Sequence, residues 1–484
     1  MKTAIWWLRR DLRLDDNPAL QAALHTAEEI IPLFILDPKL WGSEYAGEVR
    51  KAFLLDNLRS LETALSNRGS RLILVEGNPQ DEIPRLIAET GAEAIFAQAD
   101  TSPYARKRDG AIQEGNPLTL TEGLSIHPLQ SIRKQDGDPY TVFTPYSRAW
   151  RALPTPGSIQ LYEQPERIHT PETVESLPIP DAPYQDLAAF PAGEMAANVR
   201  LERFASSKDA PLASYHEDRN RPDLDGTSKL SPYLRFGIIS PRRVAARAVM
   251  AKEISETEQG RQSSETYLNE LIWREFYIDI LFHYPEVRER SFKPDLRHIA
   301  WANNQSEFDA WCRGETGYPI VDAAMIQLLN TGWMHNRTRM IVASFLVKDL
   351  LIDWRWGEKW FMQHLIDGDP AANNGGWQWV AGTGTDAAPY FRIFNPVLQG
   401  KKFDPGGNYV RDWIPALEDV PGEIIHEPWK MSAEQKQNIG CKIGEHYPRP
   451  IVDHSWARKR VLAAYQEARS QDVDCKDHVE QEGK

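Results

Sequence analysis

Eight prolines fall between residues 154 and 191, and the hydrophobic period differs on the two sides of them. Before them, short apolar runs at 4–8, 30–36, 71–75 and 94–98 alternate with segments of helical period at 18–27, 49–66 and 79–89. Asn17 and Asn78 stand where a side-chain oxygen caps the first turn of two of those helices. Short, wholly apolar runs read as strands buried on both faces, and their alternation with helices predicts a doubly wound parallel sheet. From about residue 195 the period is helical, with long stretches at 265–283 and 318–351 and a shorter one at 356–365. The tail from Tyr465, with six acidic and three basic residues, is expected to fray. The predicted organisation is an α/β domain over 1–127, an extended linker over 128–195 and an all-α domain over 196–484.

Composition removes several classes. No run approaches 18 apolar residues, so no membrane span is expected. Lys2 precedes only six mostly apolar residues, too few for a secretory leader. Cys312, Cys441 and Cys475 are too few and too scattered for a disulfide framework, a four-cysteine metal site or an iron–sulfur cluster. A reduced, cytoplasmic protein is expected.

Ligands of doubly wound sheets sit beyond the carboxyl ends of the strands. Those ends carry Arg9-Arg10-Asp11, Asp37 and Asp100. No Gly-x-Gly-x-x-Gly follows the first strand, which argues against an ordinary dinucleotide site there.

Of the 16 tryptophans, 12 lie at or after Trp273, which asks for a reason: an aromatic-rich helical core, base stacking or electron transfer. The chain carries a net charge of −13, yet 219–247 holds seven basic residues against two acidic ones, and 390–411 holds four against one. Such segments are solvated helix faces or a positive groove for a polyanion. Glu270 and Trp273, three apart, share a helix face, as do Asn336, Arg339 and Met340. A carboxylate beside an indole suits the edge and face of a planar group, and an amide, a guanidinium and a thioether suit an uncharged, partly polar ligand. His335 has no marked orienting partner for general-base work. Asp367 and Asp369 lack the further oxygen ligands of a calcium loop, so no metal is expected; with Asn373, Asn374, two glycines and two tryptophans they fit a loop around a heterocycle. Thr227, Ser228 and Ser231 form a candidate phosphate cradle, with Ser231-Pro232 placed as a helix cap and first turn.

Together these segments resemble the photolyase/cryptochrome family. The resemblance rests on Trp-Leu-Arg-Arg-Asp-Leu-Arg-Leu-x-Asp-Asn at 7–17, Thr-Ser-Lys-Leu-Ser at 227–231, Trp-Arg-Glu-Phe-Tyr at 273–277, Thr-Gly-Tyr-Pro-Ile-Val-Asp-Ala-Ala-Met at 316–325 and Asp-Gly-Asp-x-Ala-x-Asn at 367–373. It is closest to the class I enzymes acting on cyclobutane pyrimidine dimers. It implies an N-terminal α/β antenna domain, a linker and a helical domain holding FAD, active as FADH⁻. It implies that light drives an electron from the reduced flavin into a dimer flipped out of UV-damaged DNA. FAD would be bound by Tyr215, Thr227, Ser228, Leu230, Ser231, Asn336, Arg339, Asp367, Asp369 and Asn373. Glu270, Trp273, Asn336, Met340 and Trp379 would meet the lesion, with Glu270, Asn336, Met340 and Asn373 at the reacting centre. Trp301, Trp354 and Trp377 match an electron relay, and Arg219, Arg235, Lys401 and Lys402 are phosphate candidates. Phe34, Asp37, Arg50 and Asp100 resemble an 8-hydroxy-5-deazaflavin antenna site. Tyr104-Ala105 replaces the Asn-Glu pair of folate-binding members; a bound flavin or no antenna are the alternatives. A monomer associated with the nucleoid when on DNA is expected. The rival reading is a blue-light receptor signalling through a protein partner.

Overall fold

The computed structural model describes residues 1–158, 160–183, 187–207 and 209–482. Packing divides the chain into two units. The first gathers Met1–Glu217, Gly226–Pro285 and Ile366–Ala371; the second gathers Asp218–Asp225, Glu286–Leu365 and Ala372–Lys484. The change of period near 195 is thus not the edge of a packing unit. The Glu258–His283 helix belongs with the first unit, where Glu275 accepts hydrogen bonds from the Ile126 N–H and from Trp150 Nε1 (2.7 Å).

In the first unit, β1 (Thr3–Leu8), β2 (Glu29–Leu36), β3 (Ile73–Glu76), β4 (Ala94–Gln98) and β5 (Leu118–Thr121) form one parallel sheet in the order β3-β2-β1-β4-β5. All six residues of β1 are buried, as a central strand covered on both faces requires. Alternate residues Ile5, Trp7, Leu33, Ile35, Ile73 and Val75 build the core of one face. Asn17 and Asn78 cap Pro18–Thr26 and Pro79–Thr90 as their spacing predicts, accepting from Leu20 N–H (3.0 Å) and Gln80 N–H (3.3 Å). Strand order reverses between β1 and β4, so the switch point lies where Arg9-Arg10 and Gln98 leave the sheet. The proline-rich stretch packs along β2 and β3: the Ile30 N–H donates to the His169 carbonyl (2.7 Å) and the Leu177 N–H to that of Leu74 (2.8 Å). Ile159 and residues 184–186 of that stretch lie outside the described residues.

The second unit is helical and packs around Trp311, Met325, Leu346, Trp354, Trp377 and Tyr409. The stretch 318–351 is not one helix. Gly332, at φ 67°, ends Pro319–Thr331 in a left-handed cap, and the chain restarts as Asn336–Ser344 followed by a π-turn, Phe345–Asp349. The tail is not frayed at Tyr465. The His454–Glu482 helix runs through it, and Val461, Tyr465 and Ala468 are buried on one face. Cys312 and Cys441 are buried free thiols, while the side chain of Cys475 is outside the described set. Among the described residues no helix is long and apolar enough to cross a membrane, and no group of three or more His, Cys, Asp or Glu is placed to hold a metal ion.

Candidate functional site

In the first unit the Thr227–Ser231 segment turns back on itself at Lys229, whose φ is 48°. Leu230 is already helical, so it, and not Ser231, occupies the N-cap of Ser231–Arg235, and no side chain caps that turn. The serine expected as a cap is exposed. Ser228 is fixed instead from the long helix, because Tyr267 donates its hydroxyl proton to Ser228 Oγ (3.0 Å). Burial, and next the neighbouring Ser228 and Glu270, leave the Tyr267 phenol at about 12, so it remains a donor. One turn further along that helix come Glu270 and then Trp273. Tyr215 is buried against Tyr267, with ring centres 5.3 Å apart.

At the switch point an ion network joins residues separated by hundreds of positions. Arg10 pairs with Asp369 and lies 3.5 Å from Asp100, and its Nε donates to the Arg235 carbonyl (3.2 Å). Asp369 Oδ1 accepts from the Ala371 N–H (2.9 Å), which starts the Pro370–Ala381 helix. Arg50 is half-buried near Asp367 and Asp369; loss of solvent outweighs both and lowers its pKa to about 10. The antenna candidates Arg50 and Asp100 and the flavin candidates Asp367 and Asp369 therefore share one electrostatic neighbourhood. Asp37 is engaged otherwise, capping Pro38–Trp41 through the Lys39 N–H (3.0 Å) and accepting from the Tyr104 hydroxyl. Phe34 is buried within β2.

Arg235, a phosphate candidate, is engaged within the first unit. Its side chain is 17% exposed, its Nε donates to the Gly368 carbonyl (2.8 Å), and Asp369 lies 3.9 Å away. Burial first, then Arg10, lowers its pKa to about 9. A guanidinium so engaged braces the Gly368 loop through its Nε. Counting basic residues along the chain could not reveal this, since its partner is 133 positions away.

In the second unit Asn373 Nδ2 donates to the Glu358 carbonyl (2.9 Å). That bond fixes the amide and leaves its oxygen as an acceptor. Neighbouring Asn374 donates to the Val287 carbonyl (3.0 Å) and to Glu358 Oε1 (3.2 Å), and Gln378 donates to Val287 as well (2.8 Å). Burial raises the Glu358 carboxyl to about 7, opposed by the Asn374 bond. Beside this network, a Cβ added to Gly376 would meet nothing within 4 Å. Glu358 and Gln378 are not singled out from sequence, since their partners lie on other segments.

Trp354 and Trp377 are almost wholly buried, while Trp301 is partly exposed. Trp377 packs directly on the backbone of Gly357, one turn beyond Trp354. The Ala302 N–H donates to Leu351 (2.8 Å) and the Asp353 N–H to Asn303 Oδ1 (2.9 Å), holding the Trp301 segment beside the start of the Trp354 helix.

Asn336 is exposed at the first turn of its helix, and Met340 and Trp379 are half-buried against the core. Arg339 donates to the Met334 carbonyl (2.9 Å). His335 caps that helix, its Nδ1 accepting from the Arg337 N–H (3.1 Å), which gives it a structural task. Arg337, overlooked in the sequence, joins the basic segments: it donates to Asn220 Oδ1 (3.0 Å), next to Arg219, and sits over the Phe403 ring, next to Lys402. Lys401 and Lys402 are exposed at the end of Pro396–Phe403. Arg219, Asn336, Arg337 and Lys402 thus belong to one region of this unit.

Two family models match this chain: DNA photolyase over residues 4–166, and the FAD binding domain of DNA photolyase over residues 267–467. It is 42% identical over 483 residues to the deoxyribodipyrimidine photo-lyase of Salmonella typhimurium, covering 97% of this chain and 99% of that one. It is 40% identical to that of Alkalihalophilus pseudofirmus, covering 95% and 97%. Among solved structures it resembles a bacterial class III photolyase from Agrobacterium tumefaciens (38% identity, TM-score 0.90, 97% and 98% covered) and a Synechocystis cryptochrome (29%, 0.86, 96% and 99%). The chain belongs to the photolyase/cryptochrome family. Its enzyme class is that of the deoxyribodipyrimidine photo-lyases, and its cofactor is FAD.

Proposed function

We propose that the protein repairs cyclobutane pyrimidine dimers in UV-damaged DNA under blue light, as a class I enzyme. The observation that carries this reading is the match, over nearly the whole length of both chains, to curated photo-lyases. The polar groups fit FAD. Thr227, Ser228 and the backbone of the Lys229 turn supply donors for phosphate oxygens, the fixed Asn373 amide supplies an acceptor for a flavin N–H, and the open side of Gly376, where a Cβ would meet nothing within 4 Å, is the side we assign to the flavin ring. Tyr215, Leu230, Ser231, Asn336, Arg339, Asp367 and Asp369 complete the set. When bound and reduced, FAD supplies under light the electron that opens the cyclobutane ring, and recovers it.

The chain's own residues bind and orient. Extruding a damaged base pair from the stack costs a few kcal/mol. Stacking on Trp273 and Trp379 offsets this by about 1–3 kcal/mol per base. Glu270 hydrogen-bonds the polar edge of the lesion, and Asn336 and Met340 complete its surroundings. Preorganised polar groups of this kind act most strongly where water is excluded. Arg219, Lys401 and Lys402 contact phosphates. Trp377, Trp354 and Trp301 pass from buried to partly exposed, the order a relay to the surface needs. Arg50 and Asp100, with Phe34 and Asp37, form an antenna site of the deazaflavin type. The chain works as a cytoplasmic monomer, without a signalling partner.

The test is recovery of thymine absorbance in an irradiated oligonucleotide under blue light. Full recovery with reduced protein, and none in the dark, is expected. A flavin-loaded, reduced preparation that leaves the dimers intact overturns the reading.

A further inference from the structure

A groove of about 540 Å³ in the second unit has an aromatic and aliphatic wall of Tyr318, Val397, Leu398, Trp429, Pro450 and Val452. Its rim holds a three-charge device. Lys401 Nζ lies 2.7 Å from Glu427 Oε1, and Lys430 Nζ lies 2.7 Å from Glu427 Oε2. The lysine side chains are 42% and 61% exposed, whereas the carboxylate is 14% exposed. Glu427 is held in place by its backbone, since its N–H donates to Ile424 (2.9 Å) and its carbonyl accepts from the Lys430 N–H (2.9 Å). The two ammonium groups hold its carboxyl below the usual range, so it stays ionised.

We propose that Glu427 is an internal competitor for DNA phosphate, holding Lys401 and Lys430 on its two oxygens and thereby limiting how tightly the chain grips DNA of any sequence. A phosphodiester presents two anionic oxygens, as this carboxylate does. The inference rests on the reading of Lys401 as a phosphate contact. Non-specific DNA binding is dominated by counterion release, which scales with the number of phosphates neutralised. A carboxylate that satisfies both lysines weakens that term alone and leaves the stacking contribution of a lesion untouched. The consequence is faster departure from undamaged DNA during the search. Glu427 is a positioning residue here; it acts through the lysines and touches neither lesion nor cofactor.

The experiment compares full-length wild type, Glu427→Gln, Lys401→Ala and Lys401→Ala/Lys430→Ala, the last two each with and without Glu427→Gln. Anisotropy is read in the dark on duplexes with and without one thymine dimer, from about 50 to 200 mM salt. Glu427→Gln is expected to tighten both duplexes by the same factor, roughly threefold to tenfold at the lowest salt, and to steepen the slope of log K against log salt by about 0.9 per lysine freed. In the double-lysine background the same substitution is expected to change nothing, which a merely structural role would not produce. Unchanged or weaker binding by Glu427→Gln, or an effect that persists without the lysines, overturns the proposal. Glu427→Ala gives a second reading of the same outcome if the amide makes bonds of its own. If Lys401→Ala leaves affinity and slope unchanged in the wild-type and in the Glu427→Gln background alike, the phosphate reading of Lys401 fails. If Lys401→Ala weakens binding but Glu427→Gln does not strengthen it, only the competitor role fails.

Discussion

The indole of Trp273 lies flat on the ring of Phe143, with ring centres 3.7 Å apart and planes inclined by 4°. One face of the indole is therefore taken, and a pyrimidine can stack only on the other. Trp273→Ala is expected to weaken damaged-DNA binding about fivefold to hundredfold, the range for one lost base stack, with flavin content unchanged. Phe143→Ala leaves the indole but removes its support, so a smaller loss in the same direction is expected, about 0.5–1.5 kcal/mol. Titration of both variants with dimer-containing and plain duplex checks this. Equal loss on plain DNA would show that the pair shapes the protein and not the lesion contact.

Trp301 meets Tyr465 edge-on, 6.0 Å between ring centres. Trp301→Phe keeps an aromatic ring in that packing but removes the indole. Light-driven reduction of bound oxidised FAD is expected to fall at least tenfold, while chemically reduced protein repairs at the wild-type rate. Flash photolysis and the absorbance assay separate the two. A parallel loss of both would refute the relay role.

The sheet was legible because β1, β2 and β4 are apolar on both faces and so read as unbroken runs. β5 was not: Leu-Thr-Leu-Thr is four residues long, half of it polar, at the edge of the sheet. The break at Gly332 was written in the sequence as Thr-Gly, but the apolar period resumes in phase beyond it and hides the stop. Tyr465 looked like part of a polar tail because what buries it is remote: its hydroxyl donates to the Ala381 carbonyl (2.7 Å) and its ring stacks on Tyr390. In the candidate site, helical spacing singled out Glu270 and Asn336, and the amide-rich segment after Asp367 singled out Asn373. Neither could show that Arg235 is spent on Gly368, or that Glu358 anchors Asn373, because those bonds join segments that periodicity treats as independent.

Glu275 sets a pH dependence of stability. Its carboxyl, raised from 4.5 to about 7, owes this to burial, against the opposing pull of the Ile126 N–H, the Trp150 indole and Arg274. The folded chain then holds a proton that the unfolded chain releases near 4.5. This contribution is fully present below about pH 4.5 and is lost as pH rises through 7. Glu275→Gln retains an acceptor for Trp150 without titrating. Denaturant unfolding between pH 5 and 8 is expected to show a smaller decline in the variant. Asp322 and Asp349, each raised to about 6 chiefly by burial, act in the same sense and keep some decline. An identical pH slope in wild type and variant would exclude Glu275 as a source.

Two glycines of the second unit should answer the same substitution with opposite signs. A Cβ on Gly357 would overlap the six-membered ring of Trp377. Alanine gains about 1 kcal/mol of helix propensity at such a position, but overpacking against a buried indole costs about 1–3 kcal/mol. Trp377 is 2% exposed and has little room to yield, so the cost wins. Gly357→Ala is expected to lower the melting temperature by several degrees and to slow flavin photoreduction by displacing Trp377. At Gly376 a Cβ meets nothing within 4 Å, so the propensity gain stands alone and the apoprotein should melt no lower than wild type. The space that the methyl enters is the space assigned to the flavin. Gly376→Ala is therefore expected to retain less FAD through gel filtration while its apoprotein stays folded. Full flavin retention by a stable Gly376→Ala protein would mean that the ring lies elsewhere.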